Sequence, residues 1–288
     1  MPFYIYQYED IDLATDATRL ALSYVWGNKS RLSDIYINGW KHQVTLNLYD
    51  ALLALRQPNQ DRLLWIDATC INQRNHDERG HQVQRMKLIY HWSLLGRVIK
   101  NAQSVWRAAF LDPETQTNSR PSRFGREHQR ALQDLMLEQP WLRRVWILQE
   151  AASAKSALIQ CGTKSVHSRT FAMVPLLAGM DVPSHVNAVL DVMPGPRSTA
   201  WCSRGHKLEE LLLQFRDKEA GDPQDRVYAL IGMSADARDR PMANYNFSLQ
   251  DTIKAAAIFM FCPHNSQVEA NILPNKNKLA QKKPSHHK

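Results

Sequence analysis

Polar side chains that could contribute to chemistry follow two apolar runs of the sequence. Asp67 comes directly after Leu63–Ile66, and Ser23 and Trp26 lie at the end of Leu20–Val25. Short apolar runs of this kind predict buried strands of a parallel sheet. Ligands of such sheets bind outside the carboxyl ends of the strands, so we expect all three side chains at one edge. There a hydroxyl and an indole would suit a ribose and a base, although Trp26 is equally well explained as core.

The segment after Asp67 adds amides and a thiol to the same edge. Ala68–Arg74 is polar, and it contains Asn72 and Gln73, which we predict to contact a ligand, as well as Cys70. A thiol nucleophile needs a fixed histidine partner, and no pattern in the sequence fixes one. A buried cysteine more often acts as a small apolar side chain.

A helix is predicted to begin where this loop ends. Asn75, followed three positions later by Glu78, matches a capping box in which the Glu78 carboxylate binds the Asn75 amide. Apolar residues then recur at helical spacing as far as Tyr90 and give the helix one buried face. Arg79, in the first turn, would pair with a carboxylate or with a phosphate.

A second pair of candidates lies on a later helix. Pro140 opens it, since proline is tolerated in a first turn. Trp146 and Glu150 are four residues apart and would share one face of that helix. In the structural interpretation, Trp146 belongs to the core and Glu150 pairs with Arg143 or Arg144 at the surface.

The spacing of the metal-binding side chains predicts no metal site. His76 and His81 are five positions apart, so a helix would not place them on one face. The four cysteines are widely spaced and form no paired motif. The sequence also lacks GxGxxG and P-loop patterns, which argues against ordinary dehydrogenase or nucleotide-hydrolase chemistry.

Composition and charge are those of an ordinary globular protein. Hydrophobic residues make up 44% and charged residues 22% of the 288 positions. No apolar run approaches the roughly 18 residues that cross a bilayer, and the N-terminus has no signal-peptide pattern, so we expect a cytoplasmic protein without membrane partners. The net charge is +8, but five lysines lie in residues 271–288; without them, 31 basic residues face 28 acidic ones. The basic charge therefore belongs to a tail that we predict to be disordered, and nucleic-acid binding is the weakest of the functional interpretations.

Secondary elements around these motifs can also be predicted. Asn38-Gly39 is the signature of a type I′ hairpin turn. Asn47 is a candidate cap for a helix that ends near Leu55. Beyond residue 163 the patterns indicate helices, with a linker at Val192–Arg204.

Several long motifs resemble the fungal HET, or heterokaryon-incompatibility, domain. They span roughly half the chain, follow the family's order and are rich in tryptophan. The motifs are ALSYVWG (Ala21–Gly27), LWIDATCINQ (Leu64–Gln73), ERGHQVQRMKLIY (Glu78–Tyr90), PWLRRVWILQEAA (Pro140–Ala152) and the closing Cys161–Gly162.

The chain departs from that family between residues 91 and 110. The resemblance predicts a short link after Tyr90 and then a strand, whereas His91–Lys100 stands between Tyr90 and Asn101–Trp106. An insertion or a retained intron would explain the departure, so we expect His91–Lys100 to be a surface excursion. Many members of the family continue well past 288 residues, which predicts a truncated form here.

The resemblance implies a fold and a domain order. HET domains are similar to distant TIR domains, so we expect an α/β fold with a mainly parallel central sheet flanked by helices, TIR-like or flavodoxin-like. Residues 1–162 would form the HET domain, with the insertion at about 91–100. Residues 163–270 would form a mostly helical extension, and residues 271–288 the disordered basic tail.

The resemblance also implies a function. The family acts in self/non-self recognition and triggers cell death. In TIR enzymes a glutamate four positions after a tryptophan cleaves the nicotinamide–ribose bond of NAD, and the matching residue here is Glu150. Gln149 would then bind a ribose, and Asp67 would position the ribose or activate water. NAD would be the substrate, with no bound cofactor. The alternative is a non-enzymatic signalling module that acts by self-association or with other incompatibility proteins.

Overall fold

The computed structural model describes residues 19–99, 134–237 and 243–261, apart from positions 58, 60, 61, 93, 135, 137, 138, 162, 163 and 203. The predicted basic tail and the possible strand at Gln103–Trp106 lie outside these residues.

Helices and strands alternate through the first part of the chain and give way to helices in the second. The elements up to residue 153 are β1 (Arg19–Ser23), β2 (Leu32–Ile37), β3 (Trp40–Thr45), α1 (Leu46–Leu55), β4 (Leu63–Trp65), α2 (Asp67–Cys70), α3 (His76–Trp92), β5 (Leu94–Ile99), a 3₁₀ turn (Pro140–Arg143) and α4 (Trp146–Ser153). The later elements are β6 (Ala157–Cys161), β7 (Lys164–His167), α5 (Ser168–Ala178), α6 (Ser184–Val192), α7 (Pro196–Cys202), α8 (Leu208–Gln214), α9 (Asp225–Ile231) and α10 (Leu249–Phe261). The prediction of an α/β fold is confirmed, while likeness to TIR or flavodoxin sheets stays a prediction.

Five of the described strands form one sheet in the order β4-β1-β5-β6-β7. β1 pairs in parallel with β4 and β5, β5 pairs in parallel with β6, and β7 is antiparallel to β6. The register sets Ala21 opposite Trp65, so Ser23 and Asp67 lie at the same carboxyl-terminal edge. β4 is an edge strand among the described residues, not the interior strand that its apolar run predicted.

The segment 94–99 occupies the middle of this sheet, and the expectation of a surface excursion is wrong. β5 pairs with β1 on one side, from Leu20↔Leu94 to Ser23↔Arg97, and with β6 on the other. The sequence of this strand, LLGRVI, is mainly apolar, which is typical of interior strands of parallel sheets. The prediction of an insertion relied on the spacing expected of the family and not on this apolar pattern.

The two faces of β1 pack against different hydrophobic clusters. Ala21 belongs to the larger cluster, with residues of α3, α4 and the later helices. Leu20, Leu22 and Tyr24 belong to the smaller one, with the β2–β3 hairpin and α1. This alternation is the period of two that a strand imposes on its side chains. Ser23 is on the face of the larger cluster, because its partners come from that side.

The predicted hairpin turn is confirmed, and its backbone angles explain why Asn38 and Gly39 occupy it. Asn38 has a φ of 50° and Gly39 a φ of 82°, the positive values that a type I′ turn requires at both central positions. β2 and β3 pair from Leu32↔Thr45 to Ile37↔Trp40.

Three local predictions were wrong in detail. Thr45, not Asn47, caps α1, with its side chain accepting a hydrogen bond from the Leu48 amide. The helix predicted to run from Pro140 is divided into the 3₁₀ turn and α4. The predicted linker Val192–Arg204 contains the helix α7, and its two prolines and its one glycine lie between the end of α6 and the start of α7.

Residues after β7 complete the larger cluster and support the segment before α4. Val227 and Leu230 of α9 pack in the same cluster as Ala21 and Leu148. Glu219 pairs with Arg143–Val145 as a parallel bridge: the Glu219 amide donates to the Arg143 carbonyl, and the Val145 amide donates to the Glu219 carbonyl, each at 2.8 Å. The later helices therefore share one core with the sheet.

Candidate functional site

Ser23 joins a carboxylate and an indole in a buried polar cluster. The Ser23 hydroxyl donates a hydrogen bond to Oε2 of Glu150. The Trp141 indole donates to the same hydroxyl at 2.7 Å. Ser23, Glu150 and Trp141 are 1%, 2% and 1% exposed, respectively. The predicted surface pairing of Glu150 with Arg143 or Arg144 is therefore wrong, because the carboxylate is buried.

Three elements hold this cluster in place. Ser23 ends β1, Trp141 lies in the 3₁₀ turn, and Glu150 is the fifth residue of α4. Ile147, Leu148 and Ala151 of α4 are each fully buried, which fixes the rotation of the helix and the direction of Glu150. Burying a carboxylate is costly unless it accepts hydrogen bonds, and Ser23 supplies one.

Asp67 binds two other predicted site residues on the hairpin side of the same edge. The Trp26 indole donates to Oδ2 of Asp67 at 2.9 Å, and the Ala68 amide donates to Oδ1 at 2.7 Å. The Gln73 side chain donates to the Asp67 backbone carbonyl at 2.9 Å. Asp67 begins the one-turn helix α2, where the loop was expected, so its carboxylate lies where helix amides are unpaired.

Arg144 provides positive charge between these groups. Its guanidinium donates to the Tyr24 carbonyl. Burial raises the pKa of Asp67, and the charge of Arg144 and the Trp26 hydrogen bond oppose that rise. Burial also raises the pKa of Tyr90, helped by the negative charges of Glu150 and Asp67. Among the side chains that the structure describes, the carboxylates of Asp67 and Glu150, the guanidinium of Arg144 and the phenols of Tyr24 and Tyr90 therefore lie within electrostatic range of one another.

Arg79 and Trp146 lie in a separate cluster. Nη1 of Arg79 donates to Asp222 at 3.0 Å, and Nη2 donates to Asp225 at 3.3 Å. The guanidinium lies 3.6 Å from the centre of the Tyr245 ring, and the Tyr245 hydroxyl donates to Asp225 at 2.6 Å. Burial raises the pKa of Asp225, while hydrogen bonds from Tyr245 and Trp146 oppose the rise. Arg79 was predicted to pair with a carboxylate or with a phosphate, and in the structure it pairs with the carboxylates of Asp222 and Asp225.

The remaining predicted residues take no part in either group. Gln149 is 1% exposed and packs against Gly232, and its Oε1 has no hydrogen-bond partner among the described residues. Asn72 is exposed; its backbone amide donates to Glu78 at 2.9 Å and its side chain accepts from the Arg74 amide. The Glu78 carboxylate therefore accepts from the Asn72 amide and not from the Asn75 amide as predicted. The other half of the predicted cap is present, because the Glu78 amide donates to the Asn75 side chain.

Sequence reasoning missed several residues that complete the site. Trp141 was predicted only as part of a motif, and Arg144 only as a surface partner of Glu150, although they bind Ser23 and the Tyr24 carbonyl, respectively. Lys218 was not noticed: it is 2% exposed and donates to the carbonyls of Leu142, at 2.7 Å, and His185, at 2.6 Å. Burial lowers the pKa of Lys218 to about 7. No local signal marks a lysine that binds carbonyls from distant segments.

The described part of the chain offers neither a candidate metal centre nor a candidate membrane-spanning helix. Within residues 19–99, 134–237 and 243–261, no group of three or more His, Cys, Asp or Glu side chains is placed to hold a metal ion. Among the helices that the structure describes, none is both long and apolar enough to cross a membrane.

Comparisons with known proteins agree with the motifs. Residues 20–150 match the family model described as Heterokaryon incompatibility protein (HET). The chain is 24% identical to Heterokaryon incompatibility protein 6, OR allele, of Neurospora crassa over an alignment 297 positions long. That alignment covers 76% of this chain and 43% of the relative, so the chain spans less than half the length of that protein. No solved structure gives a significant match.

The fold and the site define an α/β domain with polar side chains gathered at the carboxyl edge of its sheet. Residues 20–150 of the chain are a HET domain by the family match, and the similarity to the Neurospora protein agrees with it.

Proposed function

We propose that this chain is an effector of heterokaryon incompatibility that recognises non-self and triggers cell death. The family match at residues 20–150 and the name of the Neurospora relative support this role. The proposal places the chain in the cytoplasm, where it would act with further copies of itself or with other incompatibility proteins.

The chemical part of the proposal is hydrolysis of NAD by Glu150. The observation that carries it is the hydrogen bond from Ser23 to Glu150 at the edge of a parallel sheet, where ligands of α/β folds bind. The similarity of HET domains to TIR domains supports the same residue. Water would add to C1′ of the ribose as the bond to nicotinamide breaks, giving ADP-ribose, nicotinamide and a proton.

A carboxylate suits this reaction for an electrostatic reason. Positive charge develops on the ribose ring as the nicotinamide leaves, and a fixed negative charge stabilises it. In this mechanism Glu150 stabilises the ribose cation and Asp67 positions the ribose or activates the water. With Glu150 2% exposed, a substrate can reach it only after the side chains that cover it move aside.

The second candidate is a non-enzymatic module that acts by self-association. The burial of Glu150 favours it, because a carboxylate that accepts a hydrogen bond inside the core has a structural role already. In this case Glu150 would stabilise the fold, and cell death would follow from assembly alone.

The test compares Glu150→Gln with Glu209→Gln. Both changes remove one charge and keep the side-chain size, but Glu209 is exposed on α8. Under the enzyme proposal, Glu150→Gln slows nicotinamide release by the purified protein about a hundredfold or more. In cells it abolishes killing and early NAD loss, and Glu209→Gln behaves as the wild type. Melting temperatures of all three proteins show whether the fold is retained.

Two outcomes would redirect the proposal. If Glu150→Gln still kills and NAD stays level with every variant, the self-association module replaces the enzyme. If NAD falls equally with Glu150→Gln, the activity belongs to other residues, and Asp67→Asn is the next variant to measure. NAD must be measured before death begins, because dying cells lose it in any case.

A further inference from the structure

A pocket of about 210 Å³ lies between the β2–β3 hairpin and the edge that carries Asp67. Val44 and Leu48, both buried, give it an apolar floor. Trp26, Lys29, Gln43 and Gln73 are among the residues that line it.

The pocket is on the opposite side of β1 from Glu150. Tyr24 lines the pocket and packs in the smaller hydrophobic cluster. Its neighbour Ser23 points the other way, toward Glu150 and Trp141. Glu150 is not among the lining residues, so a ligand here would not touch the proposed hydrolytic group.

Two lining side chains are fixed before any ligand arrives. Asp67 holds the Trp26 indole through its carboxylate and the Gln73 amide through its backbone carbonyl. Because the Gln73 nitrogen is the donor in that bond, its Oε1 remains to accept a hydrogen bond from a ligand. Side chains held in this way lose little freedom on binding, which favours affinity.

The charge of the lining is positive. Lys29 is the charged residue among those that line the pocket, it is exposed, and no ion pair joins it to another described residue. Lys41, on strand β3, is different: its ammonium pairs with Asp34 at 2.8 Å, and it does not line the pocket. A lysine ammonium at a pocket rim suits a phosphate group.

We propose that this pocket binds a mononucleotide, with the base against Trp26 and the phosphate at Lys29. The volume is below the roughly 300 Å³ at which drug-sized ligands begin to fit, so a flat ring fills the pocket and the phosphate stays at the rim. Indole faces bind bases by stacking, and the amide of Gln73 offers hydrogen bonds to the ring edge. Asp67, to which the proposed hydrolysis assigns the ribose or the water, borders this pocket, whereas Glu150 does not line it. The proposed binding therefore stands whether or not Glu150 cleaves NAD.

Calorimetry on the full chain tests the assignment with three probes: AMP, adenosine and inorganic phosphate. We expect AMP to bind more tightly than adenosine, and phosphate alone to bind more weakly than either. Lys29→Met should lower AMP affinity about tenfold and leave adenosine affinity unchanged, because only the phosphate contacts the ammonium. Lys41→Met is the matched control and should leave both affinities unchanged.

A second variant tests the ring contact. Trp26→Leu should weaken AMP and adenosine equally, by about tenfold or more, while circular dichroism shows a folded protein. The assignment is overturned if AMP does not bind at millimolar concentration, or if Lys29→Met and Lys41→Met have the same affinity for AMP. It is also overturned if Glu150→Gln abolishes AMP binding, because the ligand would then lie on the other side of β1.

Discussion

The hydroxyl of Ser23 is bonded to both Trp141 and Glu150, which lie 118 and 127 positions away in the sequence. It accepts from the indole and donates to the carboxylate, so one small side chain satisfies a buried donor and a buried acceptor. The end of β1, the 3₁₀ turn and α4 are thereby joined at one atom. Removing that atom would leave both partners without this hydrogen bond.

The first prediction concerns Ser23→Ala. We expect a loss of about 2 to 3 kcal/mol in the free energy of unfolding, because the variant loses both hydrogen bonds of the Ser23 hydroxyl inside the core. Urea denaturation measures it. Ser30→Ala is the control: among the described residues its exposed hydroxyl binds the nearby Asn28, which is exposed as well, so the change should stay within about 0.5 kcal/mol. Equal stability of the two variants would show that the Ser23 contacts carry little energy.

The second prediction is a pH dependence that belongs to Lys218. Burial lowers its pKa from 10.5 to about 7 in the folded chain, whereas the unfolded chain keeps the ordinary value. Between these values the unfolded chain binds the extra proton, so the free energy of unfolding rises with pH. Lys218 contributes about 1.4 kcal/mol per pH unit to that rise, and the contribution levels off below pH about 7.

Lys218→Met, which does not titrate, isolates this effect. We expect the free energy of unfolding of the wild type to rise relative to that of the variant between pH 7.5 and 9.5. Below pH about 6.5 the difference between the two free energies should be constant. Tyrosine and cysteine titrations occur in both proteins and cancel in the difference. Parallel curves across the whole range would mean that the buried ammonium keeps its ordinary pKa.

The third prediction separates two costs of replacing glycine. Gly39 has a φ of 82° and open space around its Cα, so Gly39→Ala should cost about 1 kcal/mol from backbone strain alone. Gly27 has a φ of 75°, and a Cβ there would overlap the Asn47 amide that donates to the Val25 carbonyl. Gly27→Ala should therefore cost about 1 to 2 kcal/mol more than Gly39→Ala.

Thermal unfolding of both variants measures the difference. Gly221→Ala serves as control, because its backbone φ is not positive and no atom lies near an added Cβ, so its effect should be small. If Gly27→Ala and Gly39→Ala lose the same stability, the Asn47 amide moves aside without cost.

The sequence predicted those parts of the fold that depend on local patterns. Asn38-Gly39 could be recognised because a type I′ turn needs positive φ at adjacent positions. Asn75 could be recognised as a cap because its side chain binds an amide three residues on. The common edge of Ser23 and Asp67 followed from two apolar runs and the rule for parallel strands.

The rest depended on contacts between distant residues, which local patterns do not encode. Glu150 carries no local mark of burial, and its partner Ser23 belongs to a strand more than a hundred positions earlier. Arg79 could be assigned to a carboxylate or a phosphate, but the choice required Asp222 and Asp225 to be placed beside it. The central position of β5 was missed because spacing within a family was weighed above the apolar pattern of the strand itself.

The bridge at Glu219 has a consequence for where this protein can be cut. The family match ends at residue 150, yet Glu219 and Lys218 form hydrogen bonds with the turn that carries Trp141, and Asp225 pairs with Arg79. The segment that matches the family model therefore shares its core and its hydrogen bonds with residues that lie outside the match. A fragment that ends at residue 162 would lose the hydrogen bonds of Lys218 and Glu219 to the turn. It would also expose apolar side chains that pack against α9.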